Sequence, residues 1–369
     1  MRAGVPFVDL ARQHRGVDAE LRAAFERVVG ASAFTLGAEV EAFEAEFATY
    51  CGVRSCVGVA SGTAALALMF EACGIGPGDE VIVPAHTFIA SALGVRHAGA
   101  TPVLCDVDER TGLIDPDAAA AAVTSRTAAI LAVHLYGQAC EMEPLALLAG
   151  RHGLMLLEDA AQGHGAEDAG RRAGALADAA AFSFYPTKNL GAFGDGGAVT
   201  TDDDGIAERV RQLRNLGQRR KGEHLLAGYN ERLDGLQAAF LRVKLPRLGA
   251  TNELRSAHAA AYAKALDPAL RPLAERAPRS CVYHLYPIRI PDRPALAERL
   301  RELRIGTGVH YSPPLHLQPP FCEGHREHDF PNAAAWAEEE LSLPMFPGLE
   351  AGEIERVADA CARSVEVVG

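Results

Sequence analysis

The sequence of 369 residues lacks the features that mark membrane, secreted or redox proteins. No apolar run is as long as a membrane span, and the start, MRAGVPFVDLARQHRG, lacks the apolar core of a signal peptide. The eight cysteines include no CxxC pair, which argues against zinc-knuckle and dithiol motifs and favours buried reduced thiols. We therefore expect a cytoplasmic protein.

Excess positive charge is also missing, because 36 Lys and Arg face 48 Asp and Glu, for a formal net charge of −12. This balance argues against a general binder of nucleic acid or anionic membranes, and we expect neither as a partner. One basic run, RVRQLRNLGQRRKGEH at residues 209–224, stands out. It fits either the solvated face of a helix or a local clamp for an anion.

Common nucleotide and metal motifs are absent or weak. There is no GxxxxGK[ST] run, and the glycines of GIGPGDE precede a strand, unlike a dinucleotide fingerprint. Tyr185 and Lys188 have the wrong spacing for the Tyr-x-x-x-Lys pair of sugar-nucleotide reductases and epimerases. The irregular, proline-rich segment HLQPPFCEGHREH favours surface histidines over a zinc site, so we predict no metal. Its conceivable ligands are His316, Cys322, His325 and His328.

The sequence does contain a series of short apolar runs separated by helical patterns. Most runs are continuously apolar, as expected for strands covered on both faces. The predicted strands are residues 55–60, 80–84, 101–107, 128–134, 153–159, 179–184 and 197–201. This alternation predicts an α/β fold with a mostly parallel, seven-stranded sheet flanked by helices.

A change of pattern near Leu241 predicts two domains. Residues 1–240 would form an N-terminal arm and helix followed by the large α/β domain. Residues 241–369 would form a smaller C-terminal α/β domain, in which a long helix precedes strands such as VYHLYPIRI.

Three polar groups follow predicted strands at their carboxyl ends, where open α/β sheets bind ligands. The SGT turn at residues 61–63 precedes a helix and fits either a phosphate cradle or an ordinary N-cap. Asp159 ends a buried strand, where it needs a cation or hydrogen-bond donors, or else caps a helix. Lys188 stands between a strand and a glycine-rich turn.

One ligand, pyridoxal phosphate (PLP), satisfies all three groups together. Its phosphate would lie on the SGT turn, and its pyridinium nitrogen would pair with Asp159, which keeps the ring protonated and electron-withdrawing. Its aldehyde would form a Schiff base with Lys188, and the lysine, once displaced, would move protons. Each group alone is a weak signal, but their common position at one sheet edge favours PLP.

Longer motifs carry a family resemblance. In order along the chain stand SGTAAL, EVIVPAHTFIAS, AVHLYGQ, EDAAQGHGA, SFYPTKNLGAFGDGG, GYNERLDGLQAA and HYSPPLHLQ. This set resembles the DegT-type nucleotide-sugar aminotransferases, PLP enzymes of fold type I, over nearly the whole chain from VPFVDL to LSLPMFPGL.

The resemblance implies roles for single residues. Lys188 is the Schiff-base lysine, Asp159 pairs with the pyridinium nitrogen, and Gln162 binds the phenolic oxygen of the cofactor. Phe88 stacks on the cofactor ring. The phosphate contacts are Gly62, Thr63 and Ser183.

The resemblance also implies a homodimer with shared active sites. Asn230 in GYNERLD is similar to an asparagine that reaches the cofactor phosphate of the neighbouring subunit. The basic run lies just before it, so Arg219, Lys221 and His224 would meet the diphosphate of the substrate. Relatives often carry KYxH where this chain has KGEH, so Gly222 removes an aromatic side chain and the nucleotide contacts here differ.

The implied reaction moves an amino group from L-glutamate to a keto-sugar linked to a nucleoside diphosphate. HYSPPLHLQ most resembles enzymes that act on 3-keto-6-deoxyhexoses in deoxyamino-sugar pathways, which places His310 and Tyr311 beside the sugar. The same two residues fit packing groups equally well. A 4-keto-6-deoxyhexose is the alternative substrate, and the nucleotide stays open between dTDP, UDP and GDP.

Two other functional classes stay as alternatives. Some family members replace the lysine with histidine and dehydrate their substrate, and Lys188 argues against that reaction. Others are PLP-binding sensors or regulators without turnover. We expect such a regulator to have lost substrate residues or gained a DNA-binding domain, and no basic appendage is seen.

Overall fold

A single sheet organises the first two thirds of the chain in the computed structural model, which describes residues 4–274 and 279–365. The strands are β1 (Ser55–Val59), β2 (Glu80–Pro84), β3 (Thr101–Cys105), β4 (Thr127–Val133), β5 (Met155–Asp159), β6 (Glu167–Asp168), β7 (Arg171–Arg172), β8 (Ala179–Ser183), β9 (Gly197–Thr201), β10 (Gln218–Arg220), β11 (Glu223–His224), β12 (Tyr286–Arg289) and β13 (Glu340–Leu343).

All seven predicted strands join this sheet, in the order β1-β9-β8-β5-β4-β2-β3. Strand β9 runs antiparallel to β1 and β8, and the other neighbouring strands are parallel. Every residue of β2 and β9 is buried, as their continuous apolar sequence predicts. The predicted α/β fold with a mostly parallel sheet is confirmed.

Helices cover the sheet and build most of the C-terminal part. They are α1 (Leu10–Gln13), α2 (Asp18–Ala31), α3 (Ala38–Cys51), α4 (Gly62–Ala72), α5 (Ala90–His97), α6 (Pro116–Ala121), α7 (Met142–His152), α8 (Asp204–Arg214), α9 (Gly235–Lys244), α10 (Leu248–Ala265), α11 (Arg293–Glu302), α12 (Pro331–Glu339) and α13 (Ala351–Val365). Short side chains set where several of them begin. Ser61 Oγ accepts the N–H of Ala64 at the start of α4, a cap that contributes about 1 kcal/mol.

Aromatic packing anchors strand β8, which leads to Lys188. Phe182 and Phe184 meet Phe47 of α3 edge to face, with ring centroids 5.0 and 5.3 Å apart. All three rings are fully buried, and burying such a side chain contributes about 1.5–3 kcal/mol. The end of β8, just before Lys188, is therefore fixed in the core by these contacts.

The C-terminal part starts from a nearly continuous pair of helices. A 3₁₀ turn at Leu245–Arg247 joins α9 to α10. The predicted boundary between residues 240 and 241 lies inside α9, and the division into two domains stays a prediction. Within the predicted strand VYHLYPIRI, only Tyr286–Arg289 is a strand, and it pairs antiparallel with β13.

The N-terminal arm contacts both parts of the chain. Val5 forms a bridge with Ile305, and the ring of Phe7 stacks on His310 at 5.7 Å. Helix α2 packs through Ala24 and Val28 on Ala239 of α9, which lies on the N-terminal side of the predicted boundary. The arm therefore brings Phe7 next to a residue predicted to bind substrate.

Two expectations from composition can be compared with the structure. Within residues 4–274 and 279–365, no helix has both the length and the apolarity to cross a membrane. Six of the eight cysteines are buried as expected, Cys73 is half-buried, and Cys322 is exposed. The expectation of buried thiols is wrong for Cys322, which lies in the proline-rich segment.

Candidate active site

A cavity of about 640 Å³ opens at the carboxyl edge of the sheet. Its wall comes from the segments that follow β1, β2, β4, β5 and β8, from the N-terminal arm, and from C-terminal segments next to β12 and β13. It brings together most of the predicted site residues: Gly62, Thr63, Phe88, Asp159, Gln162, Ser183, Lys188, His310 and Tyr311.

Lys188 is held by a tight turn after β8. Its backbone N–H donates to the carbonyl oxygen of Tyr185 at 2.8 Å. The chain then returns so closely that a Cβ on Gly191 would lie 2.3 Å from the carbonyl oxygen of Pro186, which explains the glycine after this lysine. Burial lowers the pKa of Lys188 to about 8, and the charge of Asp159 opposes the shift. Near neutral pH part of this amine is uncharged and nucleophilic.

Asp159 ends β5 with its carboxylate in the cavity wall. Ser91 Oγ donates to Oδ2 at 2.7 Å, and the N–H of Ala161 donates to Oδ1 at 3.1 Å. Burial raises the pKa of Asp159, whereas these hydrogen bonds and Lys188 lower it. Residues 160–165 form turns, so the helix-cap interpretation is wrong. A buried carboxylate of this kind is best satisfied by a cationic partner in the cavity.

The start of α4 approaches β8 closely enough to require glycine. A Cβ on Gly62 would lie 2.5 Å from the Cβ of Ser183. Ser61 is the N-cap, so that interpretation of the SGT turn is correct for this residue. The N–H groups of Gly62 and Thr63 make no hydrogen bond to any described residue. Together with the hydroxyls of Thr63 and Ser183 and the helix dipole, they can hold a phosphate.

Gln162, Tyr311 and Phe88 form a group on the cavity wall. Gln162 Oε1 accepts the N–H of Tyr136 at 2.6 Å, and Nε2 donates to the hydroxyl of Tyr311 at 3.0 Å. Because a backbone N–H engages Oε1, the cavity faces the NH₂ group, which suits an anionic phenolic oxygen. Phe88 is 48% exposed, with its ring 5.1 Å from that of Tyr311, so a face remains for a flat ligand.

Several cavity residues were not predicted from the sequence. They are Phe7, Thr87, His134, Tyr185, Thr187, Asp195 and His284, together with apolar neighbours. Thr87 Oγ1 lies 2.9 Å from Ser91 Oγ, so a chain of two hydroxyls leads to Asp159. Both hydroxyls stand in the motif EVIVPAHTFIAS after β2, and that position was the available signal. Phe7 and His284 carry no comparable signal, because each comes from a distant segment.

Four predicted residues do not line the cavity of this chain: Arg219, Lys221, His224 and Asn230. Strands β10 and β11 form an exposed hairpin, in which Arg219 pairs with Glu223 at 2.5 Å. Gly222 lies at its tip with φ of 83°, a left-handed conformation that favours glycine. Of the basic run, residues 209–214 lie on α8, where Arg209 is exposed and Arg211 half-buried, as a solvated helix face predicts, but Arg214 is buried and pairs with Glu44. The helix interpretation is wrong for the hairpin.

The proposed surface histidines need one correction. His316 is fully buried, its ring packs edge-on against Phe330 at 5.1 Å, and Nε2 lies 3.4 Å from the carbonyl oxygen of Glu327. His325 is half-buried and His328 is exposed. In the part of the chain that the structure describes, no three His, Cys, Asp or Glu side chains form a group able to hold a metal ion.

The cavity residues fit PLP. Unpaired N–H groups beside a required glycine suit its phosphate, a buried carboxylate suits its pyridinium nitrogen, and the amine of Lys188 suits its aldehyde. A family model for the DegT/DnrJ/EryC1/StrS aminotransferase family matches residues 16–362. The chain belongs to this family.

Individual aminotransferases agree with this assignment. The dTDP-3-amino-3,4,6-trideoxy-alpha-D-glucose transaminase of Streptomyces venezuelae is 47% identical over 99% of this chain and 97% of its own length. The crystal structure of S. venezuelae DesV in complex with a ketimine intermediate has a TM-score of 0.96 and 46% identity, and covers 99% of each chain. The crystal structure of NtdA from Bacillus subtilis has the cofactor PMP bound, which is pyridoxamine phosphate, the aminated form of PLP. It has a TM-score of 0.91 and 30% identity, over 99% of this chain and 86% of that one.

These similarities confirm the predicted family, the fold of the PLP aminotransferases and PLP as the cofactor. They also confirm the predicted reaction class, because this aminotransferase has close relatives that are named sugar transaminases.

Proposed function

We propose that this aminotransferase moves an amino group from L-glutamate to a nucleoside-diphosphate 3-keto-6-deoxyhexose. The observation that carries the proposal is one cavity holding Lys188, Asp159 and the α4 N-terminus, in a chain 47% identical to a dTDP-3-amino-sugar transaminase. The amino group in that relative's product is at position 3, which supports the 3-keto over the 4-keto sugar. The same name supports dTDP as the nucleotide.

Lys188 and Asp159 would carry the chemistry. PLP, when bound, supplies an electron-withdrawing ring that stabilises negative charge on the carbon that loses its proton. In the resting enzyme Lys188 Nζ would hold the cofactor at its aldehyde carbon. Once displaced by the amino donor, the free amine of Lys188 would take the proton from the α-carbon of the donor and deliver it to the carbon that Lys188 had held. A pKa of about 8 suits both directions, because base and acid forms are populated near neutral pH.

The remaining cofactor contacts would orient this chemistry. Asp159 keeps a proton on the ring nitrogen, since a buried carboxylate favours a cationic neighbour. The N–H groups of Gly62 and Thr63 and the hydroxyl of Ser183 hold the phosphate. The other two contacts are the Gln162 amide to the phenolic oxygen and the Phe88 ring face.

His310 and Tyr311 would flank the sugar. Each also packs against neighbours, since His310 stacks on Phe7 and Tyr311 contacts Phe88. Their common position on the cavity wall supports the substrate interpretation over packing alone.

The active form would be a homodimer in which a second copy completes each site. Arg219, Lys221 and Asn230 are exposed and lie outside the cavity of their own chain, on a segment that also exposes large apolar side chains. These side chains are Leu216, Leu225 and Tyr229. A second copy that covers this segment would bury apolar surface and bring Asn230 to the phosphate and the two cations to the diphosphate.

The test is product formation from a defined panel. Purified holoenzyme is incubated with L-glutamate and 3-keto or 4-keto 6-deoxyhexoses linked to dTDP, UDP or GDP, and 2-oxoglutarate and the amino-sugar are measured. We expect the highest kcat/KM with a dTDP-linked 3-keto sugar. Preference for 4-keto sugars would contradict the position of amination. Cofactor binding without turnover on any sugar would favour a PLP-binding regulator.

A further inference from the structure

Behind the cavity wall, three polar groups form a hydrogen-bonded chain that ends at His310. Ser342 Oγ lies 2.9 Å from His310 Nδ1 and 2.5 Å from Glu340 Oε1. Glu340 Oε2 accepts the backbone N–H of His310 at 2.5 Å. Ser342 and Glu340 are fully buried on β13, whereas His310 lines the cavity. Nε2 of His310 makes no hydrogen bond to a described residue and is left for a ligand.

Packing holds the imidazole in this orientation. Phe7 stacks on one face with rings 16° from parallel, and Tyr311 meets the ring edge-on at 5.2 Å. A Cβ on Gly308 would lie 2.6 Å from His310 Cε1, so only glycine leaves room for the ring there. The hydroxyl of Tyr136 donates to the carbonyl oxygen of His310 at 2.6 Å. His310 Nδ1 therefore stays hydrogen-bonded to Ser342, and Nε2 points away from Ser342 on the other edge of the imidazole ring.

The hydrogen-bonded chain allows two consistent placements of its protons, because the hydroxyl of Ser342 has a single proton to donate. With Glu340 ionised, Ser342 donates to Glu340, His310 Nδ1–H donates to Ser342, and Nε2 carries a lone pair. When one proton enters at Nε2, the Nδ1 proton passes to Ser342, and the Ser342 proton passes to Glu340. Nε2 then carries N–H, Glu340 is neutral, and the imidazole is neutral in both placements.

We propose that Glu340 and Ser342 are positioning residues that decide whether His310 presents an N–H donor or a lone pair to the sugar. When Glu340 is protonated, the Nε2–H of His310 donates to a sugar oxygen. When Glu340 is ionised, the lone pair on Nε2 accepts from a sugar hydroxyl. This inference rests on the proposed function only for the position of the sugar beside His310.

The electrostatic surroundings of Glu340 agree with a chain that switches. Burial raises the pKa of Glu340 to about 8, opposed by the N–H of His310, the hydroxyl of Ser342 and the charge of Arg293. The phenols of Tyr136 and Tyr311 face it, and burial raises the pKa of both, so they stay neutral. An acid with a raised pKa is protonated below that value, so the N–H form of His310 predominates below about pH 8.

The surroundings of His310 keep the imidazole itself uncharged. Burial lowers the pKa of His310 to about 4, and Lys188 acts in the same direction. His284, which also faces it, has its own pKa lowered by burial. Of the three hydrogen-bonded groups His310, Ser342 and Glu340, it is thus Glu340 that gains or loses charge in the working pH range.

Nitrogen-15 NMR of histidine-labelled holoenzyme, titrated on both sides of pH 8, tests the chain directly. His310→Gln assigns the resonances by difference. Wild type should exchange the protonated nitrogen of His310 with a midpoint near pH 8. Glu340→Gln should show Nε2–H throughout, because the amide donates permanently to Ser342. Ser342→Ala should abolish the exchange. Glu339→Gln, which removes the neighbouring carboxylate that pairs with Arg289, should behave as wild type.

A single tautomer across the range in wild type, or a wild-type midpoint in Ser342→Ala, would overturn the proposal. Kinetics add a second readout. Lys188 also has a pKa of about 8, so the pH profile of kcat/KM for the sugar nucleotide should become less steep near 8 in Glu340→Gln but keep the Lys188 titration, while KM for glutamate stays unchanged. If no sugar nucleotide is turned over, the proposed function fails, and the NMR titration still decides the proton chain.

Discussion

Replacement of Asp159 by Asn should separate the chemistry of this site from its folding. Asparagine has the same shape, so Oδ1 keeps the N–H of Ala161 and the amide faces Ser91 Oγ. Burial raises the pKa of Asp159 above 3.8, so the folded state holds a proton more readily than the unfolded chain. The contribution of Asp159 to stability is therefore lost as pH rises through its folded pKa. Asparagine does not ionise, so the variant does not lose this stability as pH rises. The cofactor-free variant should therefore unfold at an equal or higher temperature.

The rate should respond in the opposite direction. The variant loses the negative charge next to the ring nitrogen of PLP, and a hydrogen bond to a charged group contributes about 1.5–3 kcal/mol. Since 1.36 kcal/mol of barrier is a factor of ten, kcat should fall roughly 10- to 150-fold. The phosphate contacts at the α4 N-terminus are untouched, so the Kd for PLP should change less than kcat.

Three measurements check this reasoning: single-turnover conversion of glutamate, PLP titration of the cofactor-free protein, and thermal unfolding. Asp203→Asn is the matched control, because Asp203 accepts two backbone N–H groups at the start of α8, outside the cavity. It should leave kcat unchanged. If Asp159→Asn kept wild-type turnover, or lost stability without losing rate, Asp159 would serve the local turn and not the cofactor.

Four further outcomes are expected. Lys188→Ala should abolish turnover, and borohydride reduction of wild type should fix the cofactor mass on the Lys188 peptide; substantial transamination by the variant would remove its assigned role. Gly62→Ala places a Cβ 2.5 Å from Ser183, so thermal unfolding and PLP titration should show a loss of about 1–3 kcal/mol and weaker binding. Gly249→Ala, with no atom within 4 Å, is the neutral control. The rate at which cofactor-free protein takes up PLP should rise with pH and level off above about 8, and a rise continuing to 10.5 would contradict the lowered pKa of Lys188. Mixing Lys188→Ala with Asn230→Ala subunits should restore up to about half the activity per dimer if sites are shared, and none if each subunit is self-contained.

The sheet was predictable because most of its strands are buried along nearly their whole length, the edge strand β3 excepted. Continuous apolar runs at residues 80–84 and 197–201 match β2 and β9 residue for residue. Errors occur at strand ends, where Gly153 adopts a left-handed conformation that ends α7, so β5 starts only at Met155. The two-residue strands β6 and β7 carry only charged residues, and no apolar alternation marks them.

The candidate site was predictable to the extent that it lies at strand ends. Lys188 and Asp159 each follow a buried strand, so the sheet edge rule places them together. Ser342 and Glu340 meet His310 only through tertiary packing, and no local pattern links positions 310 and 340. His316 was expected at the surface because prolines surround it, yet Phe330 covers its ring.

The charge of the cavity bears on how the substrate is held. Of the described residues that line it, Lys188 is the only lysine or arginine, and Asp159 and Asp195 are acids. Burial lowers the pKa values of the lining residues His284 and His310, so neither adds positive charge near neutral pH. His134, the remaining histidine of the wall, pairs with the buried carboxylate of Glu158 and adds no net charge. One chain therefore offers no net positive charge to a diphosphate.

In the proposed dimer, the second copy would supply the positive charge that one chain lacks for a diphosphate. The exposed hairpin carries Arg219 and Lys221, and the pairing of Arg219 with Glu223 is a surface salt bridge that costs little to exchange for a diphosphate. If the hairpin of a second copy supplies these cations, substrate binds only to the assembled dimer. By thermodynamic linkage the substrate must then strengthen the dimer by the same factor. Recognition of the nucleotide and assembly of the enzyme would therefore depend on the same exposed hairpin.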